Sequence, residues 1–219
     1  MIKEQKSGIR LLSNLVSEIV SSSADDCLFE YSIYNYQPQT FGDPREVKRV
    51  SLASLYDSLM EDYNSLGDGK EIAFHSKVWV KNEPFHIPLV DFSCKSISLI
   101  HKVYVKSGME TEIGPLFVFH SGRSFHAYGV KLFRESDWVR FMGGLLLLNP
   151  PASNEFVDSR WVGHRLRGGY SSLRWTANSE WYLKQPSPMA LIGSEVRNLT
   201  KGLSRIEVRD LLSHYGEVV

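Results

Sequence analysis

The stretch PLFVFHSGRSFHAYGVKLF, residues 115–133, carries the strongest structural signal in the sequence. Apolar and aromatic residues on both sides of its polar centre predict two β-strands joined by a tight turn. At the turn, Ser121 and Ser124 offer hydroxyls, and Arg123 offers a planar guanidinium that suits phosphate oxygens. His126 follows Ser124 by two residues, so both side chains face the same side of a strand. The stretch therefore indicates either a small-anion site or an ordinary β-hairpin.

Helices and strand pairs alternate on both sides of this hairpin. Apolar residues at helical spacing and capping residues predict the helices, whereas alternation and aromatic content predict the strands. Helices are predicted at residues 8–21, between Ser51 and Gly67, and at residues 95–106, 135–148 and 204–216; strands are predicted at residues 27–36, 71–80, 85–93 and 171–177; residues 155–166 are predicted as a short helix or a loop.

This order of elements favours an α+β fold over a doubly wound parallel sheet, because helices interleave with hairpin-like strand pairs. No linker divides the 219 residues convincingly. We therefore expect a single domain over residues 1–219, with a motif-bearing core at about residues 70–180. Helical elements at residues 8–21 and 204–216 flank that core.

Charge and cysteine content restrict the class of protein. The chain has 25 Lys and Arg and 25 Asp and Glu, so its zero net charge gives no overall attraction to nucleic acid. Basic residues are concentrated in residues 120–184, which hold nine Lys and Arg against five Asp and Glu. Cys27 and Cys94 are far apart, which favours a reduced intracellular protein over a disulfide or zinc-ribbon scaffold. No apolar run reaches the length of a membrane span, so a cytoplasmic protein without membrane contact is expected.

Two further stretches place polar groups after apolar runs. In PLVDFS, residues 88–93, Asp91 lies near a strand end, where a carboxylate needs a cation, a donor or a metal, or serves a turn. In residues 155–178, Asp158 follows an apolar pair. Arginines interleaved with aromatic residues follow it, a composition that suits phosphates and stacked bases but also a polar loop between core tryptophans. These arginines are Arg160, Arg165, Arg167 and Arg174.

Together the three stretches resemble the motifs of the archaeo-eukaryotic primase superfamily, the primase-polymerase or prim-pol fold. LVDFS resembles its first acidic motif, SGRSFHAYG its small-x-His motif, and FVDSR its third acidic motif. LRGGYSSLRW is similar to the arginine-bearing segment that follows the third motif in many members. Small bacterial primase-1D-like proteins are the nearest resemblance. The resemblance to the superfamily spans about residues 85–178 and implies an RRM-like antiparallel or mixed sheet flanked by helices.

The resemblance implies a role for each matched residue in a nucleotidyltransferase, in which a 3′-hydroxyl attacks an α-phosphate. Asp91 and Asp158 would bind Mg²⁺ or Mn²⁺, since carboxylate and water ligands suit these ions. These two acids and His126 form the implied catalytic set. The residues implied to contact the phosphates of a nucleoside triphosphate are Ser121, Arg123, Ser124, His126 and Arg174. Arg160, Arg165 and Arg167 are expected to contact DNA or RNA, and Arg174 either the triphosphate or the template backbone; the motifs give no information about protein partners.

One departure from the family pattern concerns the first motif, where the family commonly has a second acid and this chain has Ser93. A hydroxyl is a much poorer metal ligand than a carboxylate. Three alternatives follow from this departure. Another acid, such as Glu110 or Glu112, would replace the missing one; or the site would hold a single metal; or catalysis would have been lost.

Three hypotheses about function remain open at this point. The first is a template-dependent or terminal-transferase-like nucleotidyltransferase. The second is an inactive module that binds a nucleotide or a nucleic-acid end in a mobile-element or antiviral system, and Ser93 favours it over the first. The third is an α+β interaction protein in which the motifs are coincidental. Three motifs in the family order favour either of the first two hypotheses.

Overall fold

The computed structural model describes residues 2–20, 27–201 and 204–213. Within them the helices are α1 (Ile2–Ile19), α2 (Leu52–Asn64), α3 (Ile97–Ser107), α4 (Met109–Ile113), α5 (Glu135–Leu147), α6 (Ser159–Gly168) and α7 (Arg205–Ser213). The strands are β1 (Cys27–Asn35), β2 (Glu46–Ser51), β3 (Lys70–Val80), β4 (Glu83–His86), β5 (Leu89–Phe92), β6 (Leu116–His120), β7 (Phe125–Tyr128), β8 (Ser172–Arg174), β9 (Ser187–Ile192) and β10 (Val196–Asn198). The predicted ends of the terminal helices, residues 21 and 214–216, lie outside the described residues.

The strands form two sheets of five strands each among the described residues. In the first sheet the order is β2-β1-β3-β4, and β8 also pairs with β3; in the second sheet the order is β10-β9-β6-β7-β5. The pairings within both sheets are antiparallel. The predicted α+β fold, with antiparallel strands flanked by helices, is therefore confirmed, and its strands are distributed over two sheets.

Local side-chain hydrogen bonds fix the starts of two helices where the sequence predicts them. Ser51 Oγ accepts a hydrogen bond from the Ser54 backbone N–H at 3.3 Å and begins α2. At α7, Ser204 Oγ accepts from Glu207 N–H while Glu207 Oε2 accepts from Ser204 N–H, a reciprocal capping box. None of the described helices has the length and apolar content needed to cross a membrane.

The run at residues 85–93, which the sequence predicts as one strand, is divided between the two sheets. β4 pairs with β3 in the first sheet, whereas β5 pairs with β7 in the second. Pro88 lies between them and has no backbone N–H for a sheet hydrogen bond, so the chain changes sheets there. As a result, β5 is an edge strand of the second sheet and carries Asp91 at that edge.

The central strand β6 is buried on both faces, which explains its uninterrupted apolar sequence. Phe117 and Phe119 pack into the core shared with α1 and α2. Leu116 and Val118 pack into the core shared with α3 and α5. Side chains alternate between the faces of a strand, and β7 follows the same rule. His126 on β7 therefore faces the same side of the sheet as Phe119.

Two buried histidines should make the fold sensitive to acid. His75 stacks on Tyr170 with 4.2 Å between ring centroids, and His86 stacks on Trp138 at 4.6 Å. Burial lowers the pKa of each imidazole from 6.5 to about 4. Between these values the unfolded chain binds protons that the folded chain does not. The free energy of unfolding should therefore fall as the pH is lowered from 6.5 to 4, by up to about 1.4 kcal/mol per pH unit for each histidine.

Urea denaturation near pH 7 and near pH 4.5 measures this loss of stability. His75→Gln and His86→Gln should each reduce the difference between the two pH values. His101→Gln is the matched control, because His101 is partly exposed and its replacement should leave the difference unchanged. Equal unfolding free energies at both pH values in the unmodified protein would contradict the prediction.

Candidate functional site

Strand register brings the first acid and the histidine together. On β7, His126 is the register partner of Asp91 on β5 and of Phe119 on β6. Directly opposed residues on neighbouring strands project their side chains to the same face. His126 Nε2 lies 3.8 Å from Asp91 Oδ1. The two residues are 35 positions apart in the sequence, and the pairing of β5 with β7 is what makes them neighbours.

Backbone contacts place the second acid beside the first. The Asp158 backbone N–H donates to the Asp91 carbonyl oxygen at 3.0 Å, next to an antiparallel bridge between Phe92 and Val157. Asp158 is also the N-cap of α6, because its Oδ1 accepts from the Trp161 backbone N–H at 2.8 Å. The second acid is therefore held by the start of a helix as well as by the edge of the sheet.

A residue that the sequence analysis missed supports the segment before Asp158. Asn149 Oδ1 accepts from the backbone N–H groups of Phe156 and Val157, each at 2.8 Å. Its Nδ2 donates to the Val157 carbonyl oxygen at 3.0 Å. One side chain thus satisfies three backbone groups of a short irregular segment. Asn149 follows a predicted helix directly, but nothing in the sequence links it to residues 156 and 157.

The electrostatic state of the pair follows from its surroundings. Burial, and then the charge of Asp158, raises the pKa of Asp91 to about 8. Burial, and then the charge of Arg174, lowers the pKa of His126 well below its usual value, so the imidazole is neutral near pH 7. Two adjacent carboxyl groups in a partly buried place repel when both are ionised. A cation between them would remove that repulsion.

A cavity of about 220 Å³ lies at this place. Its walls come from the end of β1 and the loop that follows it, from β3, β5, β7 and β8, and from α6 and residue 182. The predicted site residues that line it are Asp91, His126, Asp158, Arg160, Arg165 and Arg174. Residues from four separate parts of the chain, around positions 91, 126, 160 and 174, therefore converge on one cavity.

Arg174 is a fixed cation in the wall of this cavity. Its side chain is buried, and its guanidinium lies 3.8 Å from the centroid of the Tyr182 ring. One terminal nitrogen donates to the Ser121 carbonyl oxygen at 2.6 Å, and the other donates to the carbonyl oxygens of Thr176 and Lys184. Since carbonyl groups orient the guanidinium without neutralising its charge, Arg174 keeps a positive charge beside the two acids.

The turn between β6 and β7 lies outside the cavity lining. Ser121 Oγ and Ser124 Oγ are 3.3 Å apart, and the Ser121 backbone N–H donates to the Ser124 carbonyl oxygen. Gly122 has a φ of 118°, a conformation that strongly favours glycine. Arg123 is exposed and donates to the Trp181 carbonyl oxygen at 3.1 Å. These contacts close the turn, and the implied phosphate roles of Ser121, Arg123 and Ser124 remain predictions.

The arginines of α6 contact the loop formed by residues 36–45. Arg160 donates to the Thr40 carbonyl oxygen at 3.3 Å. Arg167 donates to the Phe41 carbonyl oxygen, and its guanidinium lies 3.9 Å from the Phe41 ring centroid. Arg160 and Arg167 are exposed, and both line a second pocket on the outer face of α6. The loop is therefore held against α6 from outside.

Arg165 points inward, unlike the other two arginines of the helix. It is only 4% exposed and donates to Ser172 Oγ at 2.6 Å and to Asp43 Oδ2. Asp43 also accepts from Arg45 Nε at 2.8 Å, and all three ionic residues line the cavity. The sequence analysis missed Asp43 and Arg45, because GDPRE has the composition of an ordinary turn.

The residues present determine which metal site is feasible. No group of three or more His, Cys, Asp and Glu side chains that could hold a metal occurs in the described part of the chain. Asp91 and Asp158 offer carboxylate oxygens, which fits one hard cation that keeps several of its water ligands. Ser93 donates its backbone N–H to the Phe156 carbonyl oxygen, and neither Glu110 nor Glu112 is among the described cavity-lining residues. The donor set fits one ion.

Comparison with known proteins gives two findings. The model of a family described as "AEP-like: Archaeo-eukaryotic primase 1D-like" matches residues 54–187, more than half of the chain. The solved structure "Crystal structure of primase RepB'" is similar, with 13% sequence identity and a TM-score of 0.39. That alignment covers 93% of this chain and 62% of the RepB' chain. No curated protein matches the sequence.

Proposed function

Because the chain belongs to the archaeo-eukaryotic primase 1D-like family, we propose that it binds a nucleoside triphosphate in this cavity and transfers the nucleotide to a 3′-hydroxyl group. The observation that carries the proposal is the convergence of Asp91, Asp158 and His126 on one cavity lining. Along the chain, Asp91 in LVDFS, His126 in SGRSFHAYG and Asp158 in FVDSR follow one another in the order of the motifs that these stretches resemble. Such a reaction needs a cation, an anion-binding wall and a defined orientation of the phosphates.

Each proposed role follows from the geometry of the residue. Asp91 and Asp158 would hold Mg²⁺ or Mn²⁺ through carboxylate oxygens. When bound, such an ion lowers the pKa of the attacking hydroxyl and neutralises charge on the leaving pyrophosphate. His126 is neutral near pH 7 and lines the cavity, so its imidazole would donate one N–H to a phosphate oxygen. Arg174 would stabilise the phosphates through its buried charge.

DNA or RNA would bind along the outer face of α6. Arg160 and Arg167 are both exposed there, one on each side of His164. Each guanidinium now donates to a carbonyl oxygen of the loop at residues 36–45. A nucleic-acid phosphate is a stronger acceptor than a carbonyl group because it is charged. Phosphates of the nucleic acid would therefore compete with the loop for these two arginines.

A second function is favoured by one observation: the described residues place only two carboxylates at the proposed ion site, with Ser93 where the family commonly has another acid. In this alternative the chain binds a nucleotide or a nucleic-acid end in the same cavity without transferring the nucleotide. The fold and the phosphate contacts are the same in both functions. They differ in whether one bound ion supports the chemical step.

An extension assay combined with nucleotide titration separates the two functions. The protein is mixed with labelled nucleoside triphosphates, a primed or an unprimed template, and Mn²⁺ or Mg²⁺. We expect extension products that require the divalent ion and disappear when EDTA is added. In calorimetric titration, His126→Ala should weaken triphosphate binding roughly tenfold, since hydrogen bonds to charged groups contribute about 1.5–3 kcal/mol. His120→Ala is the matched control, because His120 lies outside the cavity lining.

Each outcome of this experiment supports or removes a hypothesis. Nucleotide binding without extension under any condition would support the non-catalytic alternative. Neither binding nor extension, with or without the ion, would contradict both functions and favour an interaction protein with coincidental motifs. Equal affinities of His126→Ala and the unmodified protein would remove His126 from the phosphate site.

A further inference from the structure

Two buried arginines meet at one carboxylate in the cavity wall. Arg45 Nε donates to Asp43 Oδ2 at 2.8 Å, and Arg165 Nη2 donates to the same oxygen. The side chains of Arg45 and Arg165 are 8% and 5% exposed. Arg45 also lies over the Tyr34 ring at 3.8 Å from its centroid. Arg45 Nη1 also donates to Ser32 Oγ at 3.2 Å, so both guanidinium groups are held by contacts with protein groups.

The charges in this cluster do not balance. Among the described residues, Arg45 and Arg165 share the single carboxylate of Asp43, so this cluster carries a net positive charge. Burial, followed by the charge of Arg45, lowers the pKa of Arg165, which reflects the cost of placing like charges together away from water. A buried charge of this kind is stable only when an anion or hydrogen-bond acceptors compensate it.

Unused donors occur on the same side of the site. The buried Nε atoms of Arg165 and Arg174 have no hydrogen-bond partner among the described residues, and both arginines line the cavity. Buried polar groups in folded proteins normally have partners. A ligand with several anionic oxygens in the cavity would supply negative charge beside these guanidinium groups. Phosphate groups match the planar donor arrangement of guanidinium groups.

We propose that Arg45 and Arg165 form the phosphate subsite of the cavity, that the phosphates of a nucleoside triphosphate occupy it, and that Asp43 is the counter-ion these phosphates displace. The assignment rests on the proposed nucleotide-binding function and deepens it, because it moves the phosphate contacts from the exposed Arg123 to the cavity wall. A free triphosphate fits better than a nucleic-acid backbone, since side chains only 8% and 5% exposed admit a small anion more readily than a polymer.

The subsite predicts opposite effects for its acid and its arginines. Asp43→Asn keeps a side chain of the same size but removes the competing negative charge, so triphosphate binding should become tighter by roughly threefold or more. Arg45→Gln and Arg165→Gln should each weaken binding by about tenfold or more, since each removes a charge-assisted contact. A purely structural role for Asp43 would give weaker or unchanged binding in Asp43→Asn.

Calorimetric titration with inorganic triphosphate in EDTA buffer tests the subsite without a metal ion. A nucleoside triphosphate and a nucleoside are titrated in parallel. We expect inorganic triphosphate and the nucleotide to respond equally to the variants, and the nucleoside to bind weakly with no response. The matched control is Arg140→Gln, because Arg140 is an exposed arginine of α5. Arg45→Lys and Arg165→Lys, which keep the charge, test binding if the Gln variants do not fold.

The outcomes separate this proposal from the proposed function. Triphosphate binding that depends on Arg45 and Arg165 supports the subsite even if no extension product forms. Extension by the unmodified protein, together with unchanged triphosphate affinity in all the arginine variants, overturns the subsite and leaves the function intact. The proposal is also overturned if a 5′-phosphorylated oligonucleotide displaces the nucleoside triphosphate and inorganic triphosphate does not. That result would assign the arginines to nucleic acid.

Discussion

Asp158→Asn should lower the rate of nucleotide transfer in the extension assay by about 100-fold or more while leaving the protein folded. An amide is a far weaker ligand than a carboxylate for Mg²⁺ or Mn²⁺. Stabilisation by a bound ion contributes several kcal/mol to such reactions, and 1.36 kcal/mol corresponds to a tenfold change in rate. Asparagine caps helices about as well as aspartate, so α6 should still begin at this position. Thermal unfolding and extension rates, measured on the same preparation, test both statements.

Two further variants identify the cause of the effect. Asp158→Ala removes the cap as well as the charge, so it should add a loss of about 1 kcal/mol in unfolding free energy. Asp137→Asn is the matched control, since Asp137 lies in the first turn of α5 and is 53% exposed in its side chain. Extension by Asp158→Asn at the unmodified rate would remove Asp158 from the ion site.

Arg174→Met should lower the free energy of unfolding by about 3 kcal/mol and weaken triphosphate binding. The substitution leaves the carbonyl oxygens of Ser121, Thr176 and Lys184 without their donor. Lost hydrogen bonds to a charged group cost about 1.5–3 kcal/mol each before relaxation, and the contact with the Tyr182 ring is lost as well. A loss of this size corresponds to a fall of about 6–12 °C in Tm for a protein of this length.

Thermal unfolding monitored by circular dichroism measures the change in Tm. Arg140→Met is the matched control, since that guanidinium is exposed and its only described ion pair, with Asp137, is 4.0 Å long. An unchanged Tm in Arg174→Met would mean that the three carbonyl contacts do not contribute to stability. Binding of triphosphate can then be compared between Arg174→Met and the control at a temperature where both are folded.

The elements with strong local signals could be predicted from the sequence. The caps at Ser51 and Ser204 and the hairpin of β6 and β7 depend on neighbouring residues alone, and the structure has them where the sequence predicts them. The membership in the prim-pol superfamily, inferred from three short motifs, is confirmed by the family match over residues 54–187.

Other elements depend on distant parts of the chain and escaped prediction. β2 and β10 are short strands without a buried position, and β9 is a six-residue strand with four buried positions and no regular alternation, so neighbouring strands are what stabilise them. The division of residues 85–93 into β4 and β5 depends on which sheet each half joins. Periodicity describes which face of a strand is buried, but not which partner the strand pairs with.

Prediction of the site from sequence has the same limit, because contacts between distant residues are not visible in local patterns. The motifs pointed to Asp91, His126 and Asp158, and the pairing of β5 with β7 and the start of α6 place these three residues around one cavity. Asp43 and Arg45 come from a loop that resembles any polar turn, and only contact with α6 gives them a place in the cavity. Charge content indicated that residues 160–174 were basic, but not that Arg165 would point inward.

The cap at Asp158 connects the proposed ion site to the integrity of a helix. The same carboxylate that would hold a cation also accepts the Trp161 N–H that begins α6. Opening of the first turn of α6 would displace this acid from its place beside Asp91. A molecule that occupies the cavity therefore shifts the opening equilibrium of this turn toward the closed form. Occupancy of the cavity and the order of the first turn of α6 are therefore coupled.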